Sequence, residues 1–273
     1  MTSELENTNA LYRDRAAVLE WTLARTTEAA ALAIEMLKSE RAVSMKADGT
    51  IVTNIDRAVE RFLRDAITTQ YPDHAILGEE YGLDTRTAGA PLWSIDPIDG
   101  TVNLANDLPH WGVSVGLMVD GEPLVGVVVF PLLGETYAAA RDLGATLNGA
   151  PLAPLGPGKP TEWEDTYGIC STSVRRVDFA QVPARLRVLG SAALEVCWVS
   201  AGKLRGCHSI GVSLWDVAAG LCIAHEVGVA TGWHSNKPFT TAAFAAEGKR
   251  ENDMLIFAPP ATLAFLKDNL VFR

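Results

Sequence analysis

Two apolar runs on either side of Asp120-Gly121 restrict this chain more than any other feature. Val113, Val115, Leu117 and Val119 recur at every second position, the period of a strand. Leu124 to Phe130 is a valine-rich run of strand length, and Asp120-Gly121 is turn chemistry. Strands this apolar need neighbours, so the pair predicts part of a substantial sheet. Ala75-Ile76-Leu77 and Leu92-Trp93-Ser94-Ile95 supply two more short apolar runs, each followed by acidic residues.

Helices are expected ahead of and behind these strands. The Ala-rich stretch from Leu11 to Leu37 contains neither Gly nor Pro and reads as one long helix. After Asn54, residues Ile55, Val59, Phe62, Leu63, Ala66 and Ile67 fall on one helical face, and the helix should stop near Tyr71-Pro72. Pro151, Pro154, Pro157 and Pro160, with Gly156 and Gly158, mark a loop. Beyond it strands (Thr166–Cys170, Arg185–Val188, Met254–Phe257) alternate with helices (Ser191–Ala201, one from Trp215, one after Pro259-Pro260). That pattern divides the chain into an N-terminal α+β domain over 1–153 and a C-terminal α/β domain over 154–273.

Charge narrows the function. Against 23 Lys and Arg stand 33 Asp and Glu, a net charge of -10, which repels the phosphate backbone and argues against nucleic-acid binding. A small anionic substrate fits only where bound cations reverse the local field. The longest apolar stretch, Leu124 to Leu133, contains Pro131 and is too short to span a bilayer. The N-terminus lacks the pattern of a signal peptide. Cys170, Cys197, Cys207 and Cys222 have neither zinc nor redox spacing. A soluble, cytoplasmic protein is expected.

The chemistry concentrates in Trp93-Ser94-Ile95-Asp96-Pro97-Ile98-Asp99-Gly100-Thr101. A buried strand there delivers two carboxylates, Pro97 stiffens the turn between them, and Gly100 permits a sharp turn into a short helix from Thr101. Hard oxygen ligands would then lie beside free N–H groups at a helix start, which suits magnesium and a phosphate oxygen respectively. Taken alone, Asp96 and Asp99 equally suit a helix cap and a turn. Glu79 in Gly78-Glu79-Glu80, Asp216 after Trp215 and Asp56 in Thr53-Asn54-Ile55-Asp56 have plain readings too, as a solvated loop, a helix-dipole partner and a helix cap. Five such features in one chain point the other way.

These segments resemble the inositol monophosphatase family, whose motifs G-E-E, D-P-I-D-G-T and W-D-x-A-A-G appear in order as Gly78–Glu80, Asp96–Thr101 and Trp215–Gly220. Lys46 with Thr53-x-x-Asp56 is similar to the family's N-terminal segment. The resemblance implies a layered αβαβα sandwich of the inositol monophosphatase and fructose-1,6-bisphosphatase type. It further implies a Mg2+-dependent phosphatase of a small phosphate monoester, an inositol monophosphate or a related polyol or sugar phosphate. Histidinol phosphate, fructose 1,6-bisphosphate and 3′-phosphoadenosine 5′-phosphate are the alternative substrates, and a non-catalytic metal- and phosphate-binding scaffold is the alternative class.

By the same resemblance, Glu79, Asp96 and the Ile98 carbonyl hold one Mg2+. Asp96 bridges to a second, also held by Asp99 and Asp216, and a third, weaker ion touches Glu79. Thr101, paired with Asp56, orients the attacking water, and the N–H groups of Gly100 and Thr101 hold phosphate oxygens. Gly190, Ser191 and Ala192, together with Asp99 and Asp216, contact the substrate. Gly190 and Ser191 serve equally well as an ordinary helix start. Ser209 stands where animal members carry a glutamate that binds inositol, and a hydroxyl does not replace a carboxylate's paired acceptors. Relatives of this kind are often homodimers, and a homodimer is expected.

Overall fold

The computed structural model describes residues 10–38, 42–45, 51–84, 89–247 and 253–273; Lys46 lies outside them. The Gly- and Pro-free stretch forms helix α1 (Arg15–Met36), with Ala10–Arg13 already helical ahead of a turn at Asp14. A short ribbon of β1 (Val43–Met45) and β2 (Ile51–Thr53) leads into α2 (Asn54–Gln70). The α2 helix begins with a capping box. Thr53 Oγ1 accepts from the N–H groups of Ile55 and Asp56, and the Asp56 carboxylate accepts from Thr53 N–H in return.

An eight-stranded sheet follows, built from β3 (Ala75–Gly78), β4 (Gly82–Asp84), β5 (Leu92–Asp99), β6 (Gly112–Val119), β7 (Glu122–Phe130), β8 (Glu135–Ala140), β9 (Gly144–Leu147) and β10 (Ala150–Pro151). Its order is β10-β9-β8-β7-β6-β5-β3-β4, and only the β3–β5 pair is parallel. The short helix α3 (Thr101–Ala105) leaves the end of β5. β6 and β7 join through Asp120 (φ 53°) and Gly121 (φ 76°), the left-handed pair that a tight two-residue hairpin requires.

The second half contributes β11 (Thr166–Ile169), α4 (Ser173–Arg176), β12 (Val177–Asp178), β13 (Arg185–Arg187), α5 (Ala192–Ser200), β14 (Gly206–Ile210), α6 (Leu214–Glu226), β15 (Ala230–Trp233), α7 (Thr241–Glu247), β16 (Met254–Ala258), α8 (Pro260–Asn269) and β17 (Val271–Phe272). Five of these strands form a mixed sheet, β13-β11-β14-β16-β15. The helices α1 and α2 cover one face of the large sheet, α5 and α6 fill the space between the two sheets, and α8 lies against β15 and β16. This is the αβαβα sandwich expected from the motifs. It also explains why all eight residues of β6 are buried despite their alternation: Val113, Val115 and Leu117 face α1 and α2, while the small residues between them face α6.

That second face is set by two paired glycines. Gly116 of β6 lies opposite Gly126 of β7, and a Cβ at Gly126 would stand 2.3 Å from the Ala219 carbonyl oxygen of α6, one at Gly116 2.8 Å from the Ala219 nitrogen. On its other side Gly220 lies against Val196 of α5. The Ala218-Ala219-Gly220 run after Asp216 is therefore the packing surface that seats this helix. Replacing Gly126 with Ala is expected to cost about 2–3 kcal/mol by overpacking, lowering Tm by roughly 4–10 °C in a thermal melt; an unchanged Tm would contradict this close contact.

Candidate active site

The register of the parallel pair places the first acidic residues side by side. Gly78 pairs with Ile95, and Glu79 N–H continues the ladder by donating to the Ile95 carbonyl at 3.3 Å, so Glu79 and Asp96 leave neighbouring strands together. The ladder between β5 and β6 then shifts register between Asp96 and Asp99. Pro97 has no N–H to give the ladder, and Ile98 N–H turns to Asp96 Oδ1 at 3.0 Å. The bulge ends at Gly100 (φ 91°), from which α3 starts.

Asp56 is held rigidly beside this turn. Its Oδ2 accepts from Thr53 N–H at 2.9 Å and Thr53 Oγ1 at 2.5 Å, which leaves Oδ1 to accept from Thr101 Oγ1 at 2.8 Å. The Thr101 hydroxyl also lies 3.0 Å from the Ile98 carbonyl oxygen. Having one proton, it binds Asp56 as donor and keeps its lone pairs to accept.

Asp99 points across to the second half of the chain. Its carboxylate accepts from the Ser191 hydroxyl and from the N–H groups of Ala192 and Ala193, each at 3.1 Å, at the start of α5 where the helix dipole favours an anion. Ser191 is the N-cap as well, its Oγ accepting from Leu194 N–H at 3.2 Å, as the plain reading of a helix start expects. Asp216 stands in the first turn of α6, its Oδ2 accepting from Ser213 N–H at 2.6 Å.

The electrostatics show how near these groups lie. Burial first, and then the carboxylates of Glu79, Asp99, Asp216 and Asp56, push the pKa of Asp96 well above the usual carboxylate range. Burial raises Asp99 to about 6, against the bonds from Ser191, Ala192 and Ala193 that lower it. As their side chains are placed, no three Asp, Glu, His or Cys among the described residues enclose an ion. The donor set nevertheless fits a hard divalent cation: several carboxylates disfavour the charge of Asp96, and the Ile98 carbonyl lies between Asp96 and Asp99 along the chain.

A cavity of about 380 Å3 opens beside these groups, with Asp99, Gly190, Ser191, Ala192 and Asp216 in its wall. Ser209, Glu195 and Cys170 complete much of the remainder. Glu79, Asp96, Ile98, Gly100, Thr101 and Asp56 lie outside that wall. Asn103 joins the two halves, its Nδ2 donating to the carbonyls of His110 at 2.6 Å and Leu189 at 2.8 Å.

Three features escape the sequence reading. Glu60, fully buried on α2, accepts from Arg64 at 2.8 Å and from the N–H groups of Glu80 at 2.6 Å and Tyr81 at 3.2 Å, which clamps the turn carrying Glu79. A Cβ at Gly78 would sit 2.0 Å from the Glu60 carboxylate, so the motif's glycine makes room for that clamp. An acid one turn after Asp56 was the only available signal. Glu195 is the second, an acid inside an apolar helix. Third, Trp215 is half-buried in the first turn of α6, between buried Leu214 and Val217, whereas Trp93 is fully buried. The histidines keep packing roles where buried: His208 lies between Tyr167 OH at 2.9 Å and Ser173 Oγ at 2.7 Å.

The fold has two sheets with helices between them, and its bulged D-P-I-D-G turn meets a helix from the other half. A sequence profile described as the inositol monophosphatase family matches residues 18–259, and the chain belongs to that family. It is 36% identical over 205 residues to an inositol-1-monophosphatase of Rhizobium meliloti (71% of this chain, 75% of the relative). It is 37% identical over 193 residues to the Nus factor SuhB of Pasteurella multocida (68% and 72%). Among solved structures, SaIMPase-II with inositol monophosphate bound superimposes with a TM-score of 0.77 at 27% identity, covering 93% of each chain. No helix among the described residues is long and apolar enough to cross a membrane.

Two expectations follow from the buried acids. Glu60→Gln, which leaves one acceptor oxygen for two amides and gives up the ion pair with Arg64, is expected to cost about 3 kcal/mol in urea denaturation and to speed hydrogen exchange at Glu80 and Tyr81. The second concerns pH. Burial, opposed by the Leu189 N–H and reinforced by Asp99, raises Glu195 to about 8, whereas an unfolded glutamate releases its proton near pH 4. Burial lowers His74 to about 4 and His208 to about 3, so their opposing contribution, half complete at about pH 6.5, is complete by about pH 7.5. Between about pH 6.5 and 8.5 the extra proton on Glu195 should by itself take about 2 kcal/mol from the stability in EDTA, partly offset by the histidines at the lower end. Glu195→Gln should make the fall smaller by about that amount; a pH dependence unchanged by the substitution would count against the assignment.

Proposed function

We propose that this chain is a magnesium-dependent phosphatase of a small phosphate monoester, an inositol monophosphate or a related polyol or sugar phosphate. The observation that carries this reading is the crowding of Glu79, Asp99, Asp216 and Asp56 around buried Asp96, beside a cavity of metabolite size. Glu79, Asp96, Asp99, Asp216 and the Ile98 carbonyl would hold two or three Mg2+. Those ions supply a bound water of lowered pKa and neutralise the charge of the ester.

The remaining work falls to the chain's own groups. With its proton committed to Asp56, the Thr101 oxygen is left as an acceptor that orients a water. The N–H groups of Gly100 and Thr101 would take phosphate oxygens. Gly190, Ser191 and Ala192 would border the alcohol portion, as would Asp99 and Asp216. Phosphoryl transfer needs little else from a protein than such positioning and charge neutralisation.

The cavity also ranks the substrates. None of the described residues in its wall is basic, which disfavours fructose 1,6-bisphosphate and 3′-phosphoadenosine 5′-phosphate, each with a second phosphate to neutralise. The similarity to the Rhizobium inositol-1-monophosphatase and the ligand of SaIMPase-II support an inositol monophosphate. The similarity to a Nus factor keeps a binding role as the competing reading.

A phosphate-release screen decides between them. With Mg2+, kcat/KM should be highest for myo-inositol 1-phosphate, lower for histidinol phosphate and lowest for the two bisphosphates, with all turnover lost in EDTA. Background release across the panel would favour the binding role. Asp99→Asn should lower kcat by at least about 100-fold, a loss typical even of groups that only support a metal ligand; near-wild-type turnover at saturating Mg2+ would refute its role.

A further inference from the structure

Glu195 has no part in the reading so far, yet it stands in the cavity wall. It is 2% exposed. Oε1 takes a long bond, 3.4 Å, from Leu189 N–H, and Oε2 is buried with no hydrogen-bond partner. Buried carboxyl oxygens are almost always satisfied, so one left open beside a cavity calls for a donor that the chain itself does not provide. Backbone packing fixes the side chain there: an ideal Cβ at Gly168 of β11 would lie 3.3 Å from Glu195 Cδ, and a larger residue would take its space.

The other carboxylates of the wall, Asp99 and Asp216, belong to the proposed metal set. Ser209, also in the wall, offers a single hydroxyl. Glu195 is thus the one carboxyl among the described lining residues that has no place in that metal set and is left for the alcohol portion of a substrate alone. The last bond of a glutamate turns over a broad, shallow range, so an oxygen reaches the cavity without movement of α5.

We propose that Glu195 determines substrate specificity by hydrogen-bonding a hydroxyl of the alcohol portion, so that phosphorylated polyols are the preferred class. The proposal rests on the phosphatase reading and narrows it. Its neutral amide analogue keeps both functions, an oxygen to accept from Leu189 N–H and an NH2 to meet a hydroxyl oxygen, whereas leucine keeps only the volume.

The test compares Glu195→Gln and Glu195→Leu with the wild-type chain on myo-inositol 1-phosphate, glycerol 2-phosphate and para-nitrophenyl phosphate, whose leaving group has no hydroxyl beyond the ester. Glu195→Leu should lose about 10- to 100-fold more kcat/KM on the two polyol phosphates than on the aryl ester, mainly through KM, and Glu195→Gln should recover most of it. Equal losses on all three substrates, or no loss, would overturn the proposal. So would a kcat/KM preference for histidinol phosphate that disappears in Glu195→Leu, since its amine would then be the group recognised. Calorimetric binding of myo-inositol 1-phosphate with Ca2+ gives a second reading independent of turnover. A wild-type chain that binds it but releases no phosphate would sink the phosphatase reading alone, while undiminished binding by Glu195→Leu would sink this one.

Discussion

The close seating of α6 on Gly116 and Gly126 is the contact on which the rest of this structure depends. The two glycines are paired across β6 and β7, and the helix carries Ala218, Ala219 and Gly220 against them and against α5. Backbone meets backbone there, with little freedom to slide, because the contact leaves no side chain to rearrange. Asp216, in the first turn of that helix, inherits its position from this packing. The same helix buries the inner faces of β6 and β7, so the seat that places one acid also completes the central core.

Around Asp96 the forces are of a different kind. Four neighbouring carboxylates and nearly complete burial disfavour its charge, an arrangement a protein maintains only where something compensates. Part of the compensation is visible in the chain: Asp99 lies on the start of α5, Asp56 is enclosed by Thr53 and Thr101, and Asp216 caps its own helix. Each acid is supported by backbone donors or a hydroxyl, and none of these ties includes a basic side chain. A divalent cation held by these acids, as proposed above, would supply the rest of the compensation.

How much of this could be read from sequence depends on whether a residue's partner is local. The helix after Asn54 and the strands at Ala75, Leu92 and Leu124 came directly from periodicity and turn residues, and so did the turn at Asp120-Gly121. The acids of the candidate site came from motifs, and the structure groups them around Asp96. Strands β8, β9, β14 and β15 went unread: Glu135–Ala140 and Gly206–Ile210 hold small or polar residues whose burial depends on distant neighbours. Glu60 and Glu195 went unread for the same reason. One is defined by the turn at Glu80 and the other by Leu189 and Gly168, and such partners cannot be found by spacing. Trp215 is only half-buried although it adjoins a buried helix run, because an aromatic beside such a run need not share its burial.

The cavity wall has a consequence for the history of such a chain. Glu79, Asp96 and Asp99 come from β3 and β5, while Glu195, Ser209 and Cys170 come from α5, β14 and the loop after β11. On the proposed reading, three of the metal-holding acids come from the first half and Asp216 from the second, which also carries the residues facing the alcohol portion, and Asn103 ties the two halves together. Substitutions at Glu195, Ser209 or Cys170 would thus reshape the cavity wall one residue at a time without touching Glu79, Asp96 or Asp99.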